Sequence, residues 1–321
     1  MVRWYWLAGA LVLPACGGDG GSETELPTTP PETVTKVTEG GFDSPMDAVS
    51  SPDGSTFYFS AHLPSPDPAT LSSAAIFQVA AAGGDAEILH AGLPLEDPSG
   101  LLVSCDGAEL YIADASYRAG DPDPEISDDE SLSALYKIDL ESGSLSAMSA
   151  DGIGEAASLA IGPDCETIYV TGFTEAGTAA LFTLPRAGGS ASVIKEGDPL
   201  VSPSGVHVDA DSTAWVMDQL PGNMLGGALF AITPDGEATA VVSDLELSEP
   251  AGVSLVAGGG TAVIATRDEV GAGALLAVEI ATGEQTTIGS SMEGPAGLKT
   301  ARGAGIFAVA DGDGDAIYRA E

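Results

Sequence analysis

The chain repeats one pattern six times. Each repeat begins with Pro or, once, Ala, carries Asp or Gly eight residues later, and then continues into an apolar or aromatic run. Such a constant interval is typical of a β-hairpin with a fixed register. The six repeats begin at Pro45, Pro98, Ala156, Pro203, Pro250 and Pro295.

Each of the first five repeats is followed by a second predicted hairpin, so that one unit contains four antiparallel strands. The units begin 45 to 58 residues apart, which is the length of a β-propeller blade. The pattern therefore predicts an all-β fold, a six-bladed β-propeller with four-stranded antiparallel blades. The turns of the second hairpins are marked by Gly84, Gly143, Gly189, Gly236 and Gly283.

The sixth unit lacks a fourth strand, because the chain ends at Glu321 soon after its third predicted strand. Residues 33–38 have the alternation of an outer strand and no partner in their own unit. We expect this N-terminal strand to complete the sixth blade, which closes the ring and removes open sheet edges that would otherwise aggregate.

The N-terminus has the features of an export signal. Arg3 precedes the apolar run at residues 4–13, which is too short to cross a bilayer as a helix. Residues 17–31 are rich in Gly, Pro and Thr and have little to bury. The predicted organisation is a signal peptide at 1–15, a flexible tether at 16–31 and a single propeller domain at 32–321.

The apolar run ends in Leu-Pro-Ala-Cys at residues 13–16, which resembles the lipobox of bacterial lipoproteins. The resemblance implies that Cys16 is lipidated and becomes the new N-terminus, although Pro14 departs from the usual pattern. Gly17 stands where an Asp would signal inner-membrane retention, so the outer membrane or cell surface of a bacterium is the expected location. The alternative is an ordinary secretory signal in which Cys16 is not lipidated.

Two of the repeats carry a family resemblance. Pro98-Ser-Gly-Leu with the strand 110–114, and Pro295-Ala-Gly-Leu with the strand 307–311, are similar to blades of NHL and SMP-30/gluconolactonase-like propellers, the TolB-like group. The resemblance covers residues 33–321. It implies the fold but not one activity, since such propellers include hydrolases, binding proteins and scaffolds.

Charge excludes some partners. The chain has 48 Asp+Glu against 10 Lys+Arg, a formal net charge of −38, so it repels nucleic acid and anionic lipid surfaces. By analogy with the family, one face of the ring carries the acidic blade starts, where a cation or a basic partner could bind. A merely solvated acidic surface is the alternative. The candidate residues at this channel mouth are Asp97, Glu155, His207, Glu249 and Glu293, and the loop after the second blade's second strand adds Asp121, Asp123, Glu125, Asp128, Asp129 and Glu130.

His207 alternates with two valines on an inner strand, so its side chain points away from theirs. It either lines the channel or is a structural histidine whose hydrogen bonds are satisfied within the fold. Asp311, Asp313 and Asp315 alternate with glycine, a pattern that could turn three carboxylates towards a calcium ion. The loop lacks the bidentate Glu of an EF-hand, and its first Asp also belongs to the blade pattern. Ca²⁺ is thus the candidate cofactor.

The sequence favours a non-catalytic, monomeric binding module, with a metal-dependent lactonase or other hydrolase as the alternative. The resemblance implies a metal-binding Asn after the blade-start residue in the lactonases. None of the six corresponding positions holds Asn, and the one Asn of the chain, Asn223, lies elsewhere. The lactonase metal site therefore cannot be transferred to this chain.

The cysteines predict one cross-link. With Cys16 acylated, Cys105 and Cys165 are the remaining thiols. Both lie at the first-hairpin turns of consecutive blades, in an oxidising compartment. We expect a disulfide between them; the alternative is two separate small turn residues.

Overall fold

A computed structural model describes residues 26–65, 73–115, 134–219, 226–247, 251–267 and 271–321. The secondary structure of these residues is entirely β. No helix long and apolar enough to span a membrane occurs within the described ranges. Cys16 lies outside them, so its lipidation stays a prediction.

The first three blades are four-stranded antiparallel sheets in sequence order. Their strands are β2 (Asp43–Ser50), β3 (Thr56–His62), β4 (Ala74–Ala80) and β5 (Glu87–Ala91); β6 (Pro98–Val103), β7 (Glu109–Asp114), β8 (Leu135–Asp139) and β9 (Ser144–Ala147); and β11 (Ile153–Ile161), β12 (Thr167–Thr174), β13 (Ala179–Pro185) and β15 (Ser192–Glu196). A short parallel pair, β10 (Ala150–Asp151) and β14 (Gly189–Ser190), links the outer parts of blades 2 and 3.

Blades 4 and 5 repeat the arrangement, and blade 6 supplies three strands of its own. Their strands are β16 (Pro203–Val208), β17 (Ala214–Gln219), β18 (Gly226–Ile232) and β19 (Ala238–Glu246); β20 (Val253–Leu255), β21 (Thr261–Arg267), β22 (Gly273–Glu279) and β23 (Gln285–Met292); and β24 (Pro295–Lys299), β25 (Phe307–Asp311) and β26 (Ala316–Ala320).

The fourth strand of blade 6 comes from the N-terminal side of the propeller. Strand β1 (Val34–Glu39) pairs antiparallel with β26, with Val34 opposite Ala320. The backbone N–H groups of Glu32 and Thr33 also donate to the carbonyl oxygen of Glu321, at 2.8 and 3.0 Å. The predicted six-bladed ring and its closure by an N-terminal strand are therefore confirmed.

The connections define two faces. At the first face the innermost strand of each blade begins, and the second strand connects to the third. At the second face lie the turns that join the first strand to the second and the third to the fourth. The axial channel runs between the faces and is lined by the innermost strands, whereas the hydrophobic core lies between neighbouring blades. An example is the cluster in which Phe42, Phe59 and Phe77 of blade 1, with ring centroids 4.7 to 5.7 Å apart, pack with Ala308 and Ile317 of blade 6.

A glycine two residues after the blade start lets neighbouring innermost strands approach. A Cβ on Gly205 would lie 2.1 Å from the Ala251 carbonyl oxygen, and one on Gly252 would lie 2.0 Å from the Leu298 nitrogen. Among these motif glycines, Gly297 lies tightest against a side chain, because its Cβ would lie 2.2 Å from Oδ1 of Asp47. The glycine of the repeated motif is thus explained by close packing around the axis.

We predict that Gly297→Ala destabilises the protein by about 1–3 kcal/mol, since the added methyl group forces Asp47 or the backbone to move. Gly260→Ala is the matched control. Its Cβ would have Oε1 of Glu279 as its nearest neighbour, 3.9 Å away, so a change within about 0.5 kcal/mol is expected. Urea unfolding of both variants measures the difference, and equal midpoints would contradict the packing argument.

The last part of the predicted tether lies against the propeller. Pro27 and Pro31 are buried, and the carbonyl oxygen of Pro27 accepts the N–H of Ala257 at 2.7 Å. Leu26 reaches the channel end at the second face. Residues 26–31 thus contact the propeller through apolar side chains at 26, 27, 30 and 31, and the tether at 16–31 stays a prediction.

Candidate functional site

The channel has a cavity at its second-face end, lined by the last residues of the innermost strands and the turns after them. One position, four residues after the blade start, contributes a wall residue from every blade. These residues are Val49, Leu102, Ala160, His207, Ser254 and Lys299. The polar side chains at this position are confined to blades 4, 5 and 6.

A buried ion pair joins the innermost strands of blades 1 and 6. Lys299 Nζ lies 2.6 Å from Oδ2 of Asp47, and their side chains are 8% and 3% exposed. Lys299 also donates to the carbonyl oxygen of Leu101 at 2.7 Å. Burial raises the pKa of Asp47, while Lys299 and backbone N–H donors act in the opposite direction. The pair thus ties three blades together at the axis.

Sequence reasoning missed this pair. Asp47 occupies in blade 1 the position that is glycine in four of the other blades, and Lys299 stands where three other blades have an aliphatic residue. Aligning the repeats position by position would have shown both departures. That alignment would not have shown that the two side chains meet.

His207 lies near the second-face end of its strand and lines the cavity. Its Nδ1 is 3.4 Å from the Ser254 hydroxyl oxygen, and its Nε2 is buried without a hydrogen-bond partner among the described residues. Burial, with a smaller effect from Arg302, lowers the pKa of His207 to about 3. The imidazole is therefore neutral at physiological pH.

Arg302 follows β24 in a second-face turn and also lines the cavity. Its Nη2 donates to the carbonyl oxygen of Ile161 at 3.4 Å. Burial lowers the pKa of Arg302, and Asp164 opposes this effect. No salt bridge to Arg302 is found within the described ranges, which leaves its charge without a carboxylate at close range.

The predicted acidic residues lie at the other face. Asp97, Glu155 and Glu293 stand next to the starts of innermost strands, whereas His207 lies towards the opposite end of the channel. The structure therefore does not bring His207 together with them. Burial and the nearby charge of Asp114 raise the pKa of Asp97, and His62 opposes them. Glu249 and the acidic loop at 121–130 lie outside the described residues.

Three aspartates at the ends of second strands have a structural role. Each buried carboxylate accepts backbone N–H groups from the two residues just before the blade-start Pro, and so fixes the entry of the innermost strand. Burial raises the pKa of one of them, Asp218, to about 6. The pairs are Asp114 with Glu96 and Asp97 at 2.9 and 3.1 Å, Asp218 with Val201 and Ser202 at 3.1 and 2.8 Å, and Asp311 with Glu293 and Gly294 at 2.9 and 2.7 Å.

The Asp311 loop directs its three carboxylates to different partners. Asp311 accepts the backbone N–H groups, Asp313 pairs with Arg267, and Asp315 accepts the Ser44 N–H at 2.7 Å. In the described part of the chain, no group of three or more His, Cys, Asp or Glu side chains is arranged to hold a metal ion. The structure does not gather the predicted ligands, and calcium binding stays a prediction.

Blades 2 and 3 are cross-linked beside the cavity. Cys105 and Cys165 form a disulfide, with α-carbons 5.9 Å apart, and Cys105 lines the cavity. Nearby, Arg186 of blade 3 contacts Asp106 and Glu109 of blade 2, both at 2.9 Å. Hydrogen bonds from Ser104 and Arg186 lower the pKa of Asp106 to about 2. These contacts hold the two turns in register.

We predict that replacing both cysteines with Ser costs up to about 4 kcal/mol of stability, because the bond closes a loop between residues 60 apart in sequence. Urea unfolding measures the loss, and reductant should bring the wild type to the level of the variant. Mass spectrometry of unreduced peptides should show the linked pair. Alkylation of both thiols in the purified, unreduced protein would contradict the prediction.

Comparison with solved structures supports a β-propeller fold. A protein of unknown function from Bacteroides thetaiotaomicron aligns with a TM-score of 0.62 at 14% identity, over 93% of this chain and 74% of its own. An auxiliary nutrient binding protein from Bacteroides ovatus aligns with a TM-score of 0.62 at 12% identity, over 91% and 77%. TolB from Acinetobacter baumannii aligns with a TM-score of 0.53 at 14% identity, over 87% of this chain and 54% of TolB.

No protein-family profile matches the chain, and no curated protein sequence matches it. At 12–14% identity, the structural likenesses show a common fold and not a common activity. The comparisons thus support the propeller fold and no more specific assignment.

Proposed function

We propose that this protein is a non-catalytic binding module of the bacterial cell envelope, held at a membrane by a lipid on Cys16, with an acidic first face that engages a cation or a basic partner. The observation that carries the proposal is a difference between the two ends of the channel, since the acidic residues of the second face, such as Asp106 and Asp211, lie on turns outside the cavity. Asp97, Glu155 and Glu293 stand at the first face, whereas no carboxylate among the described residues lines the second-face cavity.

The sequence between β7 and β8 is also acidic. Segment 116–133 lies outside the described residues, contains six acidic residues and joins two strand ends that lie at the first face. Arg267 lies beside Glu293, but it is engaged by Asp313 and by the carbonyl oxygens of Gly271 and Glu293. Because these contacts occupy its guanidinium group, Arg267 does little to offset the negative charge of the first face. A positively charged ligand is therefore favoured there.

Two of the similar structures support binding and an envelope location. One is named as an auxiliary nutrient binding protein and the other as TolB. The path of the chain supports an orientation. Leu26 lies at the second face, and the ten residues back to Cys16 span at most about 35 Å. A lipid on Cys16 would thus hold the second face towards the membrane and turn the acidic face away from it.

Matched charge variants test the proposal. The first-face variant combines Asp128→Asn, Asp129→Asn and Glu293→Gln. The control combines Asp85→Asn, Glu141→Gln and Asp211→Asn, which are exposed at second-face turns and change the net charge equally. Calorimetric titration with a hexalysine peptide at physiological salt should show weaker binding for the first-face variant alone, because charges farther away than about 8 Å are screened. Equal loss in both variants would contradict a specific face.

Calcium and catalysis are tested separately. If the Asp311 loop binds calcium, millimolar Ca²⁺ should raise the melting temperature, and Asp313→Asn with Asp315→Asn should remove the rise. An unchanged melting temperature in the wild type would remove calcium from the proposal. Turnover of any compound in a panel of lactones and esters would contradict the non-catalytic assignment.

A further inference from the structure

The second-face cavity contains basic and neutral polar groups in a strongly acidic protein. The chain has 48 acidic residues and 10 basic ones, yet Lys299 and Arg302 both line this cavity and no described carboxylate does. Asp47 balances the charge of Lys299 at 2.6 Å. Asp164 acts on Arg302 electrostatically but forms no salt bridge with it within the described chain, so Arg302 is the cationic group of the cavity that can pair with an anion.

Two side chains in the cavity have N–H groups that can donate further hydrogen bonds. Arg302 has five N–H donors, and the structure shows one long bond from it, to the Ile161 carbonyl oxygen at 3.4 Å. Neutral His207 carries one ring proton. If the Ser254 hydroxyl donates to Nδ1, the proton lies on Nε2, which is buried without a partner in the described chain. A buried donor of this kind is costly unless a ligand accepts from it.

The size and walls of the cavity define the class of ligand. The cavity has a volume of about 50 Å³, enough for roughly four waters. Apolar side chains, among them Val49, Leu102, Leu159 and Val253, form much of the wall. We propose that this cavity binds a short-chain carboxylate of two to four carbon atoms, with its carboxylate at Arg302 and the Nε2–H of His207 and its alkyl part against the aliphatic wall.

Leu26 covers the site. It lines the same cavity, and the next residue is held to blade 5 by the bond from the Ala257 N–H to the Pro27 carbonyl oxygen. The segment that leads to the proposed membrane anchor is thus one wall of the binding site. The inference goes beyond the proposed function, since it concerns the opposite end of the channel and an anion instead of a cation.

The test uses sodium acetate, propionate and butyrate as ligands, with propionamide as the neutral control and inorganic phosphate as the tetrahedral anion. Thermal shift and calorimetric titration are measured on the mature chain. We expect the carboxylates to bind and to raise the melting temperature. Arg302→Gln should weaken binding at least about tenfold, because a charge-assisted hydrogen bond is lost. Arg319→Gln, which removes a half-buried arginine that pairs with Glu321 on the outer side of blade 6, should bind as the wild type does.

NMR of the His207 ring gives a second readout that does not depend on the Arg302 variant folding. Butyrate should shift the Nε2 signal in the wild type. The assignment would be overturned if no carboxylate bound at about 10 mM, or if phosphate alone bound. It would also be overturned if Arg302→Gln bound the carboxylates as tightly as the wild type, or if propionamide bound as tightly as the carboxylates. The first-face charge variant should bind butyrate normally, so failure here is distinguishable from failure of the proposed function.

Discussion

A chain that begins at residue 40 should lose its cooperative unfolding transition, or melt at least about 10 °C below a chain that begins at residue 26. Strand β1 is absent from the shorter chain, so β26 becomes an open edge. Val34 and Val37, which pack against the blade 5–6 and blade 6–1 cores, are lost as well. The loss should be large because ring closure holds both ends of the propeller.

Scanning calorimetry of the two chains measures the effect. A peptide of residues 32–39, added in trans, should restore part of the lost stability, since it can pair with the open edge of β26. The chain that begins at residue 26 should melt within a few degrees of the mature protein. If the chain that begins at residue 40 melts at the same temperature, closure by β1 does not stabilise the ring.

Lys299→Met should cost about 3–5 kcal/mol at pH 7, because it leaves the carboxylate of Asp47 buried without its counter-charge. The side chain of methionine has a similar length, so most of the packing is retained. Because burial raises the pKa of Asp47, the unpaired carboxylate takes up a proton in the folded variant at a pH where the unfolded chain is still ionised. The cost should therefore shrink as the pH falls towards 4.

Urea unfolding at several pH values measures this dependence. Lys36→Met is the matched control, since Lys36 pairs with Glu39 on the surface with side chains 42% and 66% exposed. That pair should contribute less than about 1 kcal/mol. Adding Asp47→Asn to Lys299→Met should recover part of the loss, because the buried charge is then removed. A loss that does not depend on pH would indicate a packing defect instead of an uncompensated charge.

The repeat made the fold predictable. A constant eight-residue interval fixes the hairpin register, and the incomplete last unit together with the unpaired strand at 33–38 implies closure. The same alignment of turns placed Cys105 near Cys165. Alternation along one strand left two readings of His207, a channel-lining residue or a satisfied structural histidine, because the side chains of a strand point to opposite sides in turn. The structure places it at the cavity, away from the acidic residues with which it was grouped.

The rest of the site depends on contacts between units that are distant in sequence. Asp47 and Lys299 belong to the first and last blades and become neighbours only when the ring closes. Asp311 begins a pattern that resembles a metal loop, but its carboxylate is used by the backbone N–H groups of Glu293 and Gly294. Leu26 lies in a segment without strand periodicity, so its place at the cavity could not be derived from the pattern.

Amide hydrogen exchange with and without the hexalysine peptide tests the proposed binding face most directly. The account predicts slower exchange in the peptide complex at the first face, at residues 93–97 and 293–294 and in the segment 116–133. Exchange near the second-face turns at Gly84, Gly143 and Gly236 should be unchanged. Protection confined to those turns, or spread evenly over both faces, would contradict an acidic first face as the binding surface.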